Sequence, residues 1–532
     1  MKIKSVFAQI LKNHYVDTVF SLPAYYITDL SYALKCEDIN IIEFANEFSA
    51  ISAAYSYTVI SNKVGITLIN TGPSFTNILT GLKTAEKDNV PLIVIVGCQE
   101  PQIYDNECYF QTVKISQYCK YCYTITSESI HKLDSYIRFA VAKRTPIVLQ
   151  IPYTIYNLEI DYQNNIDNGN LVESENFLVI NEENIQNDAD EFCKRLLQES
   201  KPLFLLGKGV FCTKIPNLLE KNGIPFVSSL LAKRHLYKYE SYRGAVGILG
   251  DPIANSYLKE SGSIICVGCR LSERTIINDV SIVCDKNIYF INDGDYICKY
   301  NIDPRRLFEY HYDAEKYLEI CFDFLHNKIG NTFKWKCNEP RLTKNRECKS
   351  SAFTTTEAVH IISDIPFKTP IYCIDDGTYT LPALRLNANH QIVFPGSMAV
   401  GGFSVGAAVG AYYANSDSTP IIIIGDGGIL SVLGELHTIE KNNVKVLIIV
   451  INNNGYESIR QWYSDKYNEV FASINFLYLA KAFNIPYVQV RSSTELKKEL
   501  LNEINSPRLL EVIVESEKIP CHFKNYDLEL RK

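Results

Sequence analysis

Two short polar clusters in this chain stand closest to chemistry. Gly425-Asp426-Gly427 ends the apolar run Ile421–Ile424, and Asn452-Asn453 ends the next one, Val446–Ile451. The stretch between them is long enough for one helix and a return strand. In a parallel α/β sheet both strand ends then open onto the same edge. Asp426 and Asn453 can share one hard cation through oxygen atoms. Glycines at 425, 427 and 428 let backbone N–H groups approach a phosphate at a helix N-terminus. A metal plus a diphosphate is the implied ligand. Each cluster alone is also a common strand-end turn, so the reading rests on the pair and its spacing.

Elements able to position such a site recur along the chain. Short apolar runs lie at Ile66–Ile69, Leu92–Val96, Ile147–Ile151, Leu203–Leu206, Ile264–Val267, Ile288–Ile291, Ile371–Ile374 and Leu509–Val514, besides the two above. Alternating with helical stretches, they predict parallel sheets covered on both faces. Two polar stretches, 156–189 and 326–351, read as linkers. Three α/β domains result, at 1–155, 190–325 and 352–520, each a mostly parallel sheet flanked by helices. No residue-level repeat is visible between them. Met1–Phe20 reads as an amphipathic helix, not a signal peptide.

The 532 residues carry a net charge of −7, with 21% charged and 46% hydrophobic side chains. This balance is that of a soluble globular protein and argues against nucleic acid or an anionic membrane as the main partner. No apolar run reaches membrane-spanning length. The 16 cysteines are scattered without zinc-like Cys/His spacing, although Cys119 and Cys122 form a CxxC. Reduced thiols in a cytoplasm are the expectation.

A second constellation lies near the N-terminus. Glu47 sits in FANEFSAISAAYSYTV, at the head of a helix rich in small residues. The turn Thr71-Gly72-Pro73 follows, then Asn77, then the strand of DNVPLIVIVG. A helix-terminal acid satisfying the dipole is the plain reading of Glu47. Taken with the C-terminal clusters, the order resembles that of thiamine diphosphate-dependent enzymes of the acetolactate synthase and pyruvate decarboxylase superfamily. The resemblance covers the whole chain: pyrimidine-binding, central and diphosphate-binding domains. It implies thiamine diphosphate and Mg2+ as cofactors. Glu47 falls on the glutamate that hydrogen-bonds the aminopyrimidine and promotes proton loss from the thiazolium C2. Thr71 and Asn77 fall beside the cofactor. Asp426, Asn453 and Gly455 fall on the metal ligands. Gly427, Gly428, Ile429, Asn453 and Tyr456 fall on the diphosphate site. Asp376, Gly377 and Thr378 fall on its second loop. Gly401 and Gly402 match the segment that faces the cofactor. In the family the glutamate and the metal site come from different subunits, which implies a homodimer or homotetramer with the active site at the interface.

Substrate-side features are mixed. Phe110-Gln111 resembles a pair that acetolactate synthases place beside the substrate, and Trp462 in RQW resembles their acceptor-pocket residue. Both residues have plain structural readings too. Where those enzymes read Pro-Gly-Gly, this chain reads Pro23-Ala24-Tyr25, so Tyr25 can reach the substrate as a proton donor or simply fill the pocket. Gly401 stands where the family has the bulky residue that bends the cofactor; either a local shift passes that role to Met398 or Val400, or other contacts hold the cofactor. In the central domain Gly207 and Gly209 mark a strand-to-helix turn. Arg270 and Asn292-Asp293 leave FAD binding open. The resemblance thus implies a carboligase. Such an enzyme decarboxylates a 2-oxo acid, pyruvate in the first instance, and transfers the remainder to a carbonyl acceptor. A simple 2-oxo-acid decarboxylase is the alternative, and a catalytically silent cofactor-binding paralogue with an assembly role is a third reading.

Overall fold

A computed structural model describes residues 1–99, 115–162, 182–210, 214–233, 236–248, 250–272, 274–277, 279–292, 302–326, 352–384, 391–396, 398–457 and 474–517. Within these lie three six-stranded sheets in which neighbouring strands run parallel. The first holds β1 (Thr18–Ser21), β2 (Asn40–Glu43), β3 (Gly65–Asn70), β4 (Leu92–Cys98), β5 (Cys122–Thr124) and β6 (Ile147–Pro152), in the order β2-β1-β3-β4-β6-β5. The second holds β7 (Pro202–Leu206), β8 (Phe226–Ser229), β9 (Tyr242–Val246), β10 (Ser263–Val267), β11 (Asn287–Ile291) and β12 (Leu307–Tyr310). Its order, β12-β11-β10-β7-β8-β9, is doubly wound, with the switch between β7 and β10. The third holds β13 (Pro370–Ile374), β14 (Gln391–Val393), β15 (Thr419–Gly425), β16 (Leu447–Asn452), β17 (Tyr487–Val490) and β18 (Arg508–Ile513), in the order β14-β13-β15-β16-β18-β17. The fold is α/β throughout, as the alternating pattern predicts.

The chain forms two compact units. One comprises Met1–Ser174, Ser350–Ala383 and His390–Glu517, and so contains the first and third sheets. The other comprises Glu175–Lys349, Leu384–Asn389 and Lys518–Lys532. All ten apolar runs are strands. The N-terminal helix is shorter than expected. It ends at Asn13, Tyr15 turns the chain with φ 58°, and Thr18–Ser21 is a fully buried strand. The helix Glu182–Leu196 starts inside the stretch expected to be the first linker. The second expected linker lies outside the described residues beyond His326.

The first unit is built on one helix pair. Helix α1 (Glu47–Ser61) runs from the end of β2 towards β3, and α2 (Phe403–Ala414) runs from β14 towards β15. Both are lined with small residues and buried nearly all round, as helices enclosed by other elements must be. A Cβ built on Gly406 would fall 2.4 Å from the Ser49 carbonyl oxygen, and one on Gly410 would fall 2.0 Å from that of Ala53. The two backbones therefore touch. The contacts advance together along both chains, so the helices run parallel and their N-termini lie at one end. Tyr55 packs edge-on against Phe403 at 5.2 Å between ring centroids.

This contact makes a prediction. Gly410→Ala, normally worth about 1 kcal/mol to a helix interior, is expected to destabilise the protein by about 1–3 kcal/mol through overpacking. Its thermal midpoint should fall below that of wild type. A raised midpoint would show that the backbones are not in contact.

Candidate cofactor and metal site

The site is assembled at the C-terminal edge of the third sheet. Strands β15 and β16 pair in register, with Gly425 beside Ile451. Asp426 and Asn453 therefore leave adjacent strand ends, as their spacing predicts. Asp426 opens helix α3 (Asp426–Leu430) and is 4% exposed. Its Oδ1 accepts the Gly427 N–H at 2.9 Å, and its Oδ2 accepts the Gly455 N–H at 2.8 Å. The Asn453 side-chain oxygen is buried. Asn454 (φ 59°) and Gly455 (φ 142°) form a left-handed turn that wraps this edge. Tyr456 is 53% exposed.

Beneath these loops lies Asp375, which the motif reading passed over in favour of its neighbours. It continues the buried run of β13 and is fully buried. Its carboxylate caps α2, with Oδ2 accepting the Gly402 N–H at 2.7 Å and Oδ1 the Ser404 N–H at 3.1 Å. A Cβ on Gly428 would sit 2.7 Å from the same Oδ2. One carboxyl group thus ties together the first turns of α2 and α3. Burial is the main cause that pushes its pKa up to about 7, against the lowering by the two N–H donors. Asp376 and Gly377 are exposed on the loop above, and Thr378 is half-buried. Thr380 shapes this loop, accepting the Gly377 N–H at 2.8 Å and donating to the Asp375 carbonyl at 2.8 Å. Tyr379 donates to the Asp376 carbonyl at 3.0 Å and lies against Gly425. Ile429 is fully buried in α3.

Glu47 is the first residue of α1 and is 5% exposed. Its Oε2 accepts a hydrogen bond from Asn77 Nδ2 at 2.9 Å, so two of the residues singled out in sequence are brought together. Thr71 donates its N–H to the Gly97 carbonyl at 3.0 Å, just before the helix that carries Asn77. The start of α1 is docked by helix α4 (Glu435–Lys441). The fully buried carboxylate of Glu435 accepts the Ala45 N–H at 3.4 Å and the Thr438 hydroxyl at 2.7 Å, and burial raises its pKa. Ala45 meets Gly434, while Gly402 meets Ser431 and Val432. The segment 431–434 therefore borders both helix starts, the one that carries Glu47 and the one that Asp375 caps. This meeting occurs inside a single compact unit of one chain.

Other expected site residues are less engaged. Tyr25 is 78% exposed, with its ring against Tyr26 and Tyr153. Gly401 is exposed, and a Cβ there would meet only Asp375 Oδ2, at 4.0 Å. The nearby Met398 is 41% exposed. Gln111 and Trp462 lie outside the described residues.

The arrangement fits a Mg2+-bound diphosphate. Among the described residues there is no group of three or more His, Cys, Asp or Glu that could hold a metal ion. Mg2+ does not require one, because it takes one or two protein oxygens and completes its octahedron with phosphate and water. Asp426 and Asn453 supply such oxygens. The glycines at 427 and 428 leave the start of α3 bare of side chains for anionic oxygens, whereas Asp375 already caps the start of α2.

Asp375 gives a pH prediction. Its native pKa lies above the unfolded value near 4, so the native state holds a proton that the unfolded chain releases. The stability this contributes is full below about pH 4 and is lost as pH rises through about 7. In Asp375→Asn that slope should vanish. The wild-type advantage in thermal midpoint should shrink between pH 5 and 8, and a pH-independent difference would refute the assignment.

The chain is similar to known proteins along most of its length. Residues 1–117 match the thiamine pyrophosphate enzyme N-terminal TPP binding domain. Residues 189–314 match the central domain of that family, and residues 375–512 its C-terminal TPP binding domain. The acetolactate synthase large subunit of Lactococcus lactis subsp. lactis (strain IL1403) is 26% identical, over 95% of this chain and 91% of its own length. The acetolactate synthase isozyme 2 large subunit of Escherichia coli (strain K12) is 24% identical, over 94% and 93%. An uncharacterized protein of Methanocaldococcus jannaschii is 26% identical, over 95% of each chain. With all three domains matched in the family's order along the chain, this chain belongs to the thiamine pyrophosphate enzymes.

Proposed function

We propose that the protein is a Mg2+-dependent carboligase. It would decarboxylate a 2-oxo acid, pyruvate first among candidates, and pass the remaining acyl unit to a carbonyl acceptor. The observation that carries this reading is the convergence of Asp426, Asn453 and the Asp375-capped start of α2 at one edge, with Glu47 at the same end of the paired helix. The acetolactate synthase relatives support the choice of reaction.

When bound, thiamine diphosphate supplies a carbon nucleophile and an electron sink for decarboxylation. The protein's residues would hold it and manage its protons. Asp426, Asn453 and the backbone at Gly455 would bind Mg2+. The N–H groups of Gly427, Gly428 and Ile429 would receive one phosphate. The loop Asp376–Thr378, with Gly401 and Gly402, would cover the other side, and Tyr456 would flank the diphosphate. Glu47, oriented by Asn77, would exchange a proton with the aminopyrimidine ring, with Thr71 close by. Tyr25, Gln111 and Trp462 are assigned to the substrate side. The open space at Gly401 leaves the bending of the cofactor to Met398 or Val400. Domains at 1–155, 190–325 and 352–520, a homodimer or homotetramer, and a cytoplasmic location complete the proposal; the expected site at the subunit interface is not needed to bring Glu47 to this edge, since the start of α1 and segment 431–434 already meet within one chain. Among the described residues no helix is long and apolar enough to cross a membrane.

Four measurements test this. Purified protein with thiamine diphosphate and Mg2+ should consume a 2-oxo acid and yield a carboligation product by mass. Aldehyde alone would favour the simple decarboxylase, and no consumption would leave only the silent paralogue. Glu47→Gln should lose about 10²–10⁴-fold in turnover while still binding cofactor, the range for a lost proton-transfer group. Asp426→Ala should abolish Mg2+-dependent cofactor binding. A flavin absorbance spectrum of the purified protein decides whether FAD occupies the central domain.

A further inference from the structure

The turn that carries Asn453 is held from behind by a network outside the residues assigned so far. Strand β18 lies beside β16, with Glu511 paired to Val450 and Ile513 to Asn452. Glu511 is 3% exposed. Its carboxylate accepts Asn452 Nδ2 at 2.6 Å and Gln489 Nε2 at 2.8 Å, together with the hydroxyl of Tyr487. Burial, and then this contact, raise the Tyr487 pKa, so the phenol is the donor. Three donors thus converge on a group that only accepts.

Asn452 passes this constraint forward. Its Nδ2 is committed to Glu511, so its Oδ1 faces the other way and accepts the Asn454 N–H at 2.9 Å. Asn454 is the left-handed residue of the turn, and the next N–H, that of Gly455, goes to Asp426 Oδ2. Asn453 lies between Asn452 and Asn454, the two residues joined by this bond. The amide of Asn452 cannot rotate by half a turn without presenting a donor to the Asn454 N–H. An acceptor at position 511 opposes that rotation from the other side.

We propose that Glu511 is a positioning residue for the cation site, acting through the amide orientation of Asn452 to hold the Asn453–Gly455 turn. This rests on the reading of Asp426 and Asn453 as Mg2+ ligands. Groups behind metal ligands commonly carry about 10–100-fold in metal affinity.

The test is a Mg2+ titration of the cofactor-free full-length protein with saturating thiamine diphosphate, read by calorimetry. Glu511→Gln replaces one of the two acceptor oxygens with an NH2 donor, so the group can no longer accept from all three donors as the carboxylate does. It is expected to weaken Mg2+ binding about 10–100-fold. The double variant Glu511→Gln with Asn452→Asp restores an acceptor, both for the amide introduced at position 511 and for the Asn454 N–H. It should recover to within a few-fold of wild type, which a merely structural loss would not do. Asn452→Ala removes the acceptor directly and should show the same weakening, so it serves if Glu511→Gln does not fold. Wild-type affinity in Glu511→Gln or Asn452→Ala would overturn the proposal, as would a double variant no tighter than the single one. Failure of the wild type itself to bind Mg2+ and thiamine diphosphate would overturn the functional reading on which this inference rests.

Discussion

The closeness of two helices governs the unit that holds the site. Gly406 and Gly410 present no side chain to α1, so α2 rests against the Ser49 and Ala53 carbonyls. That spacing leaves no room for side chains between the two backbones. It brings the first and third sheets to bear on a common pair of helices and sets the two helix starts side by side. Glu47 and the turn at Gly402 then need no further device to share one neighbourhood. Surface pairs such as Lys441 with Glu43 add little by comparison, since both are well exposed.

A second constraint follows from this closeness. Helix N-termini packed into an interior leave N–H groups that need acceptors. The unit supplies them with buried carboxylates. Asp375 takes those of α2, Glu435 takes that of Ala45 ahead of α1, and Asp426 takes that of Gly455. Each acid serves a loop that must stay exact in shape while exposing glycine backbone above. The pattern is a rigid polar underside with an open upper face, which is what recognition of an anionic ligand by main-chain donors requires.

Much of this was legible from residue types. The ten long apolar runs stood out because strands buried on both faces are continuous in hydrophobicity. Short strands did not, β5 and β14 having three residues each. Strand β1 was hidden because Val16–Phe20 continues the apolar content of the preceding helix, and only the turn at Tyr15 separates them. The strand-end pair Asp426 and Asn453, and the place of Glu47 at the head of a small-residue helix, followed from motif order. The supports did not. Asp375, Asn452, Glu435 and Glu511 are single polar residues whose partners are set by sheet order or helix docking, and no periodicity announces them. The second of two adjacent aspartates drew attention as a loop residue, whereas burial had selected the first.

The first and third sheets share one strand order, and α1 and α2 occupy the same step in it, each leading from the second strand to the third. The helix pair is therefore a contact between like parts of two like domains, aligned start to start. In such a pairing, whatever one domain offers at a helix start is met by what the other offers at the equivalent start. Here the two offerings have diverged: an ionisable side chain on one, bare glycine over a capped carboxylate on the other. Likeness of the two domains thus puts two unlike chemistries at one end of a single helix pair, without a loop having to be built for the purpose.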